Sequence, residues 1–130
     1  MIVVDSSAII AILYSEPEAG NFIACFQSES QCLMAAPTKF ELPMVAIGRK
    51  RAGGKIVALH LLEHYRIEVV DFSESQASLA VEAFDRFGKG RNPAALNFGD
   101  YMAYALAKSF DAPLLYKGGD FALTDIRAAA

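Results

Sequence analysis

The chain has 130 residues, which fits one domain over residues 1–130 because single domains most often contain about 100–150 residues. Its apolar share of 54% lies above the globular average of about 45–50%, which argues against a disordered chain. The net charge of −3 provides no general attraction to phosphate backbones, so nucleic-acid binding must depend on local basic patches or bound cations. No apolar run reaches the roughly 18 residues of a membrane span, and Cys25 and Cys32 lack metal-type spacing, so we expect a cytoplasmic protein without a membrane partner.

Strand and helix patterns alternate along the chain. Ile2-Val3-Val4 is a short apolar run typical of a strand, and Asp5, Ser6 and Ser7 can cap a helix over 8–13. The same signals predict a helix after Glu16-Pro17-Glu18, a strand over 32–36, and a helix opened by Thr38 and Glu41 and ended by Gly53-Gly54. They then predict a helix over 55–64, a strand over 67–72 and a helix over 73–87. A helix from Asn97 through Ala107 and a strand over 114–116 complete the prediction. The alternation predicts an α/β fold with a parallel sheet and helices on both faces.

Four acidic residues are predicted to lie at one edge of this sheet. Ligands of parallel sheets bind beyond the carboxyl ends of the strands. Asp5 follows the first strand, Glu41 follows the second by one helical turn, and Asp100 and Asp120 precede and follow the fourth. Because like charges held close together repel one another, a divalent cation with oxygen ligands is their natural partner. The sequence therefore predicts a magnesium-type site.

Each of these acids also has a purely structural interpretation. Local capping or turn roles fit Asp5, the Thr38–Glu41 pair, the Asn97–Asp100 pair and Asp120. Capping does not require that every acid fall on the same edge of the sheet. The joint pattern therefore favours the metal-site interpretation over four separate structural roles.

Four sequence blocks resemble a known family. VVDSSAI, KFELPMV, LNFGDYMAYALAK and LLYKGGDF occur in the order found in the PIN domain, and specifically resemble the VapC-type toxins of bacterial type II toxin–antitoxin systems, from Ile2 to about Ile126. The resemblance implies a three-layer α/β/α sandwich with a central parallel sheet and Mg²⁺- or Mn²⁺-dependent endoribonuclease activity. It also implies a homodimer and a cognate antitoxin protein whose tail crosses the acidic edge.

The resemblance also assigns roles to individual residues. Catalytic and metal-binding roles are implied for Asp5, Glu41, Asp100 and Asp120, with Ser6 in support. Gly119 stands where many relatives have a further aspartate, so a second metal is expected to bind more weakly. In the expected mechanism the carboxylates hold the metal, the metal activates water, and the water cleaves RNA to leave a 3′-hydroxyl and a 5′-phosphate.

Basic residues near the acids are predicted to contact the RNA backbone. Lys89, Arg91 and Lys117 flank the blocks that contain Asp100 and Asp120, although solvated loop residues are the alternative. A second basic cluster more plausibly complements a helix dipole than binds RNA, and comprises Arg49, Lys50, Arg51 and Lys55. One observation in the sequence suggests dimerisation, namely a surplus of apolar residues that would equally suit a core: Phe22, Phe26, Phe40, Leu42 and Met44.

Three other functional classes compete with the nuclease interpretation. His60, Glu63 and His64 spell the zinc-protease pattern H-x-x-E-H, but a zinc site still needs a third protein ligand. Phosphatases of the haloacid dehalogenase type would have a second aspartate at position 7, where this chain has Ser7. A catalytically weak PIN-like binding module is the third alternative, and its sequence motive is Gly119.

Overall fold

The computed structural model describes residues 1–48, 52–88, 90 and 94–130. Within these ranges four short strands form a parallel sheet in the spatial order β3-β2-β1-β4. The strands are β1 (Ile2–Val4), β2 (Cys32–Ala35), β3 (Glu68–Val70) and β4 (Leu114–Leu115). In the central strand β1, Val3 lies opposite Leu33 on one side and Leu114 on the other. The predicted parallel sheet is confirmed.

Six helices of the described ranges cover the two faces of this sheet. They are α1 (Ser6–Leu13), α2 (Ala19–Ser28), α3 (Ala36–Gly48), α4 (Gly54–His64), α5 (Glu74–Phe87) and α6 (Phe98–Ser109). Helices α1 to α4 pack in one hydrophobic cluster with the sheet, and α5 and α6 pack in another. The predicted three-layer α/β/α arrangement is confirmed.

The two hydrophobic clusters follow from the alternation of side chains along β1. Successive side chains of a strand point to opposite faces of the sheet. Ile2 and Val4 accordingly join the cluster of α1 to α4, and Val3 joins that of α5 and α6. All three are at most 1% exposed, as expected for a parallel strand that helices cover on both sides.

The start and end of α3 differ from the prediction. The helix begins at Ala36, directly after β2, with Pro37 in its first turn, where a proline costs no hydrogen bond. Thr38 therefore lies inside the helix and its Oγ1 is buried without a hydrogen-bond partner, so the predicted Thr38–Glu41 capping box is wrong. Gly53 does not end α3; it adopts φ +71° and forms the N-cap of α4.

The strands on both edges of the sheet are shorter than predicted. β3 extends only from Glu68 to Val70 and lies at one edge of the sheet formed by the described residues. The side chains of Glu68 and Val69 are exposed. β4 has two residues and gains an isolated bridge from Leu114 to Ala128. No helix in the described part of the chain is both long and apolar enough to cross a bilayer.

Candidate active site

The carboxyl ends of β1 and β4 border an open cleft of about 400 Å³. The four acids predicted from the sequence all line it: Asp5, Glu41, Asp100 and Asp120. They come from four separate segments of the chain, so the tertiary fold is what brings them together. The side chains of Ser6, Ser7, Glu16, Asn97 and Lys117 line the same cleft.

Asp5 has both a structural role and a place in the cleft. Its Oδ2 accepts hydrogen bonds from the Ser7 amide at 3.1 Å and the Ser7 hydroxyl at 2.6 Å, which makes Asp5 the N-cap of α1. The side chain is buried, and this burial raises the pKa of Asp5 to about 6; the bonds from Ser7 oppose the shift, and the negative charge of Glu41 adds to it. Asp5 therefore caps α1 and at the same time lines the cleft.

Glu41 is held by contacts from two other helices. The hydroxyl of Ser6, at the start of α1, donates a hydrogen bond to Glu41 Oε1 at 2.7 Å. Glu41 also lies against Gly99 in the first turn of α6, and a Cβ built on Gly99 would overlap the Glu41 carboxylate. The absence of a side chain at Gly99 is therefore what lets α6 approach this acid. The sequence analysis did not identify Gly99 as part of the site. Its position immediately before Asp100 is the only feature of the sequence that could have drawn attention to it.

Asp100 belongs to a complete capping box at the start of α6. The backbone N–H of Asn97 donates a hydrogen bond to Asp100 Oδ2 at 3.0 Å. The backbone N–H of Asp100 donates one to Asn97 Oδ1 at 3.1 Å. Burial raises the pKa of Asp100 to about 7, against the effect of the Asn97 amide. The charges of Asp5, Asp120 and Glu41 raise it further, so the four acids lie within electrostatic range of one another.

Asp120 is the exposed member of the cluster. It lies in a turn after β4, preceded by Gly118 and Gly119. A Cβ built on Gly119 would meet no atom within 4 Å, so there is open space at the position that the resemblance associates with a further aspartate. The acidic cluster is therefore thinner here for lack of a side chain and not for lack of space.

Of the residues predicted to bind RNA, only Lys117 lies within the described ranges. Its side chain lines the cleft, and its ammonium group pairs with the carboxylates of Glu16 and Glu18. Lys89 and Arg91 lie outside the described residues, as do Arg49, Lys50 and Arg51 of the second basic cluster. Lys55 is exposed in the first turn of α4.

The donor chemistry of the cleft fits a hard divalent cation. Magnesium and manganese favour carboxylate oxygens as ligands. Burial and neighbouring negative charges raise the pKa of Asp5 and Asp100, and a bound cation would offset the repulsion between these carboxylates. In the ranges that the structure describes, no three histidine, cysteine, aspartate or glutamate side chains are already arranged to hold an ion. Binding would therefore require the carboxylates of Asp5, Glu41 and Asp100 to turn towards one point.

The residues of the H-x-x-E-H pattern lie elsewhere. His60, Glu63 and His64 are exposed on α4, and none of them lines the carboxylate cleft. The His64 ring packs edge-on against Tyr65. Their exposure on one helix is what a solvated helical surface shows, and the described residues supply no third ligand for zinc.

Comparison with known proteins identifies the family. The PIN domain family model matches residues 2–126. The chain belongs to the PIN-domain family. This PIN domain is 38% identical over 129 residues to the ribonuclease VapC30 of Mycobacterium tuberculosis, with 98% of each chain covered. Such relatives confirm the resemblance to VapC-type ribonucleases that the sequence blocks indicated.

Two solved structures share the fold of this PIN domain. Mycobacterium tuberculosis VapC20, a toxin that cleaves the sarcin–ricin loop, superimposes with a TM-score of 0.77 at 16% identity, over 97% of this chain and 96% of that one. A chain of a toxin–antitoxin complex from Klebsiella pneumoniae gives a TM-score of 0.68 at 17% identity, over 96% and 93%. The fold is therefore retained where most of the sequence has changed.

Proposed function

We propose that this PIN domain is a Mg²⁺- or Mn²⁺-dependent endoribonuclease that acts as the toxin of a toxin–antitoxin pair. The observation that carries the proposal is the convergence of Asp5, Glu41 and Asp100, from three separate segments, in one cleft of a chain whose relatives are VapC ribonucleases. The acids are held at defined places by Ser7, Ser6 and Asn97. Carboxylates that bind metals are typically oriented by hydrogen bonds of this kind from neighbouring residues.

In this proposal Asp5, Glu41, Asp100 and Asp120 hold the cation. When bound, the ion lowers the pKa of water and stabilises charge on the phosphodiester. The protein supplies the arrangement: Ser6 orients Glu41, and the amide of Asn97 orients Asp100. Because attack would come from water, we expect products with a 3′-hydroxyl and a 5′-phosphate.

The RNA backbone would enter the cleft beside Lys117. An acidic cleft repels phosphates until a cation neutralises it, so substrate binding is expected to depend on the metal. Lys117 contacts Glu16 and Glu18, and its ammonium group would exchange these carboxylates for a phosphate. Lys89 and Arg91 complete the proposed RNA contacts, and RNA as substrate implies a cytoplasmic protein.

Two protein partners belong to the proposal, a cognate antitoxin over the acidic cleft and a second copy of the chain. Of the apolar residues considered for dimerisation, Phe22, Phe26 and Leu42 are buried in the core, whereas Phe40 is 70% and Met44 52% exposed. Both border a groove of about 170 Å³ together with Phe98, which is 78% exposed. We name Phe40, Met44 and Phe98 the apolar face, and propose that it forms the homodimer interface.

Cleavage of RNA with and without metal tests this function. RNA is incubated with the protein plus Mg²⁺ or Mn²⁺, with EDTA, and with the variants Asp5→Asn and Asp100→Asn. Cleavage is expected to need the metal and to fall by more than about 100-fold in each variant, since loss of even a second partner of a metal ligand typically costs 10–100-fold. Asp85→Asn, an exposed acid of α5 that does not line the cleft, is the matched control and should cleave normally.

Cleavage that persists in EDTA and in both variants would rule the proposal out. Tight RNA binding without cleavage under either metal would instead support a catalytically weak binding module.

A further inference from the structure

The two serines after Asp5 point to different partners. Ser6 donates its hydroxyl proton to Glu41, on α3. Ser7 donates its hydroxyl proton to Asp5 Oδ2 at 2.6 Å, a distance typical of a strong hydrogen bond to a carboxylate. Neighbouring hydroxyls thus serve two different acids of the cleft. The pattern that identified Ser6 as a supporting residue assigned nothing to Ser7.

The hydroxyl of Ser7 also holds a distant segment of the chain. It accepts a hydrogen bond from the backbone amide of Lys117 at 3.0 Å, across 110 positions of sequence. A hydroxyl has one proton and two lone pairs, so Ser7 can donate to Asp5 and accept from Lys117 at the same time. Ser7 is therefore a bridge between the first acid of the cleft and the residue that follows β4 by two positions.

The segment that begins at Lys117 carries Asp120. Between them lie Gly118, at φ +101°, and Gly119, both exposed and without side chains that could pack. At the far end Phe121 is 2% exposed and packs against Tyr116. The short segment that contains Asp120 is therefore fixed at both ends, by the buried Phe121 ring and by the hydrogen bond from the Lys117 backbone amide to Ser7.

We propose that Ser7 is a positioning residue that orients the Asp5 carboxylate and, through the Lys117 amide, holds the loop that carries Asp120. The inference rests on the proposed function, because its consequence is the spacing of two proposed metal-binding acids, Asp5 and Asp120, that line the same cleft. Ser7 touches neither substrate nor metal in this role. Removing its hydroxyl leaves the bond from the Ser7 amide to Asp5, so α1 keeps its N-cap.

The test compares Ser7→Ala with Ser7→Thr, which keeps a hydroxyl at the same place. Mn²⁺ affinity is measured without RNA by titration calorimetry, and kcat and KM are measured separately on RNA. In Ser7→Ala we expect Mn²⁺ affinity and kcat each to fall by about 10-fold or more with KM little changed, the size of effect typical of lost second partners of metal ligands. Ser7→Thr should recover most of both losses.

The control is Ser109→Ala, which removes a serine hydroxyl bonded to a carbonyl of its own helix, on a helix end that does not line the cleft. Thermal melts of all variants identify any general loss of structure. If the wild-type chain cleaves and binds Mn²⁺ and Ser7→Ala equals it, or if Ser7→Thr is as impaired as Ser7→Ala, the role of Ser7 is overturned while the proposed function stands. A wild-type chain that neither binds Mn²⁺ nor cleaves overturns both.

Discussion

Burial makes the charged form of Asp100 unfavourable for the stability of the fold, whereas its proposed role as a metal ligand needs that charge. The residue is buried, accepts one amide bond from Asn97, and lies near three other acids. Its pKa of about 7 in the folded chain compares with 3.8 for the free side chain. Between these two pH values the folded state keeps a proton that the unfolded chain has released. Asp100 therefore favours folding at low pH, and this contribution is lost as the pH rises towards 7.

Asp100→Asn is accordingly expected to stabilise the metal-free protein at pH 8. The amide oxygen of asparagine can still accept from Asn97, and the variant carries no charge to bury. We expect a gain of about 1–3 kcal/mol in the free energy of unfolding, below the upper value set by about 1.4 kcal/mol per unit of pKa. Near pH 4 the difference between variant and wild type should almost disappear. Urea unfolding in EDTA at both pH values measures this.

At pH 8 in Mg²⁺, the wild type should instead be more stable than Asp100→Asn, because a bound cation neutralises the buried carboxylates and binds the folded state only. A variant that is less stable than the wild type in EDTA at pH 8 would show that the Asp100 charge is not unfavourable in the fold.

At the scale of elements, the approach of α6 to α3 is what sets the position of Glu41. Gly99 lies in the first turn of α6, where a side chain would occupy the space of the Glu41 carboxylate. Ser6 of α1 holds the same carboxylate by a hydrogen bond. Glu41 of α3 is therefore positioned by two neighbouring helices, α1 through the short side chain of Ser6 and α6 through the lack of a side chain at Gly99.

Gly99→Ala is expected to reduce cleavage by about 10–100-fold with little loss of thermal stability. The new methyl group would push the flexible Glu41 side chain away from Ser6 and so disturb the proposed metal site, whereas alanine in a helix is preferred to glycine. RNA cleavage rates and thermal melts measure the two effects. Gly20→Ala in α2 is the control, because a Cβ there meets no atom within 4 Å. Normal cleavage by Gly99→Ala would mean that Glu41 is not needed in its present position.

At the scale of the whole molecule, the distribution of apolar residues separates core from candidate interface. The apolar face consists of two residues of α3 and one of α6, with more than half of each residue's surface exposed. The same helices bury Leu42, Ala46 and Leu106 in the two clusters. Exposed aromatic and methionine side chains grouped around a groove are more typical of an interface than of a solvated surface.

Phe40→Asp is expected to convert a dimer to a monomer. The aspartate would place a charge in the middle of an apolar interface, whereas in the monomer position 40 is already in water, so the thermal stability of the monomer should change little. Light scattering at micromolar concentration measures the mass. Ile56→Asp is the control, since Ile56 is 74% exposed on α4 and outside the apolar face. A wild-type chain that is already monomeric at this concentration contradicts the proposed interface.

The order and type of the elements were readable from local patterns. The run of Ile2, Val3 and Val4, and the caps Asp5, Ser73 and Asn97, depend on interactions between residues close in sequence, and these predictions were confirmed. The four acids could be found because parallel strands end at a common edge, and the resemblance to the PIN domain was carried by short sequence blocks. Local sequence patterns, together with the general rule about the edge of a parallel sheet, were sufficient for all of these predictions.

The tertiary structure alone decided the details that bring the acids together. The bond from Lys117 to Ser7 spans 110 positions, and the contact of Gly99 with Glu41 joins two helices, so no local pattern encodes either. The same holds for the pairing of Lys117 with Glu16 and Glu18 and for the exposure of Phe40 beside the burial of Phe22. Burial and long-range hydrogen bonds depend on how helices pack on the sheet, and packing is a property of the assembled chain.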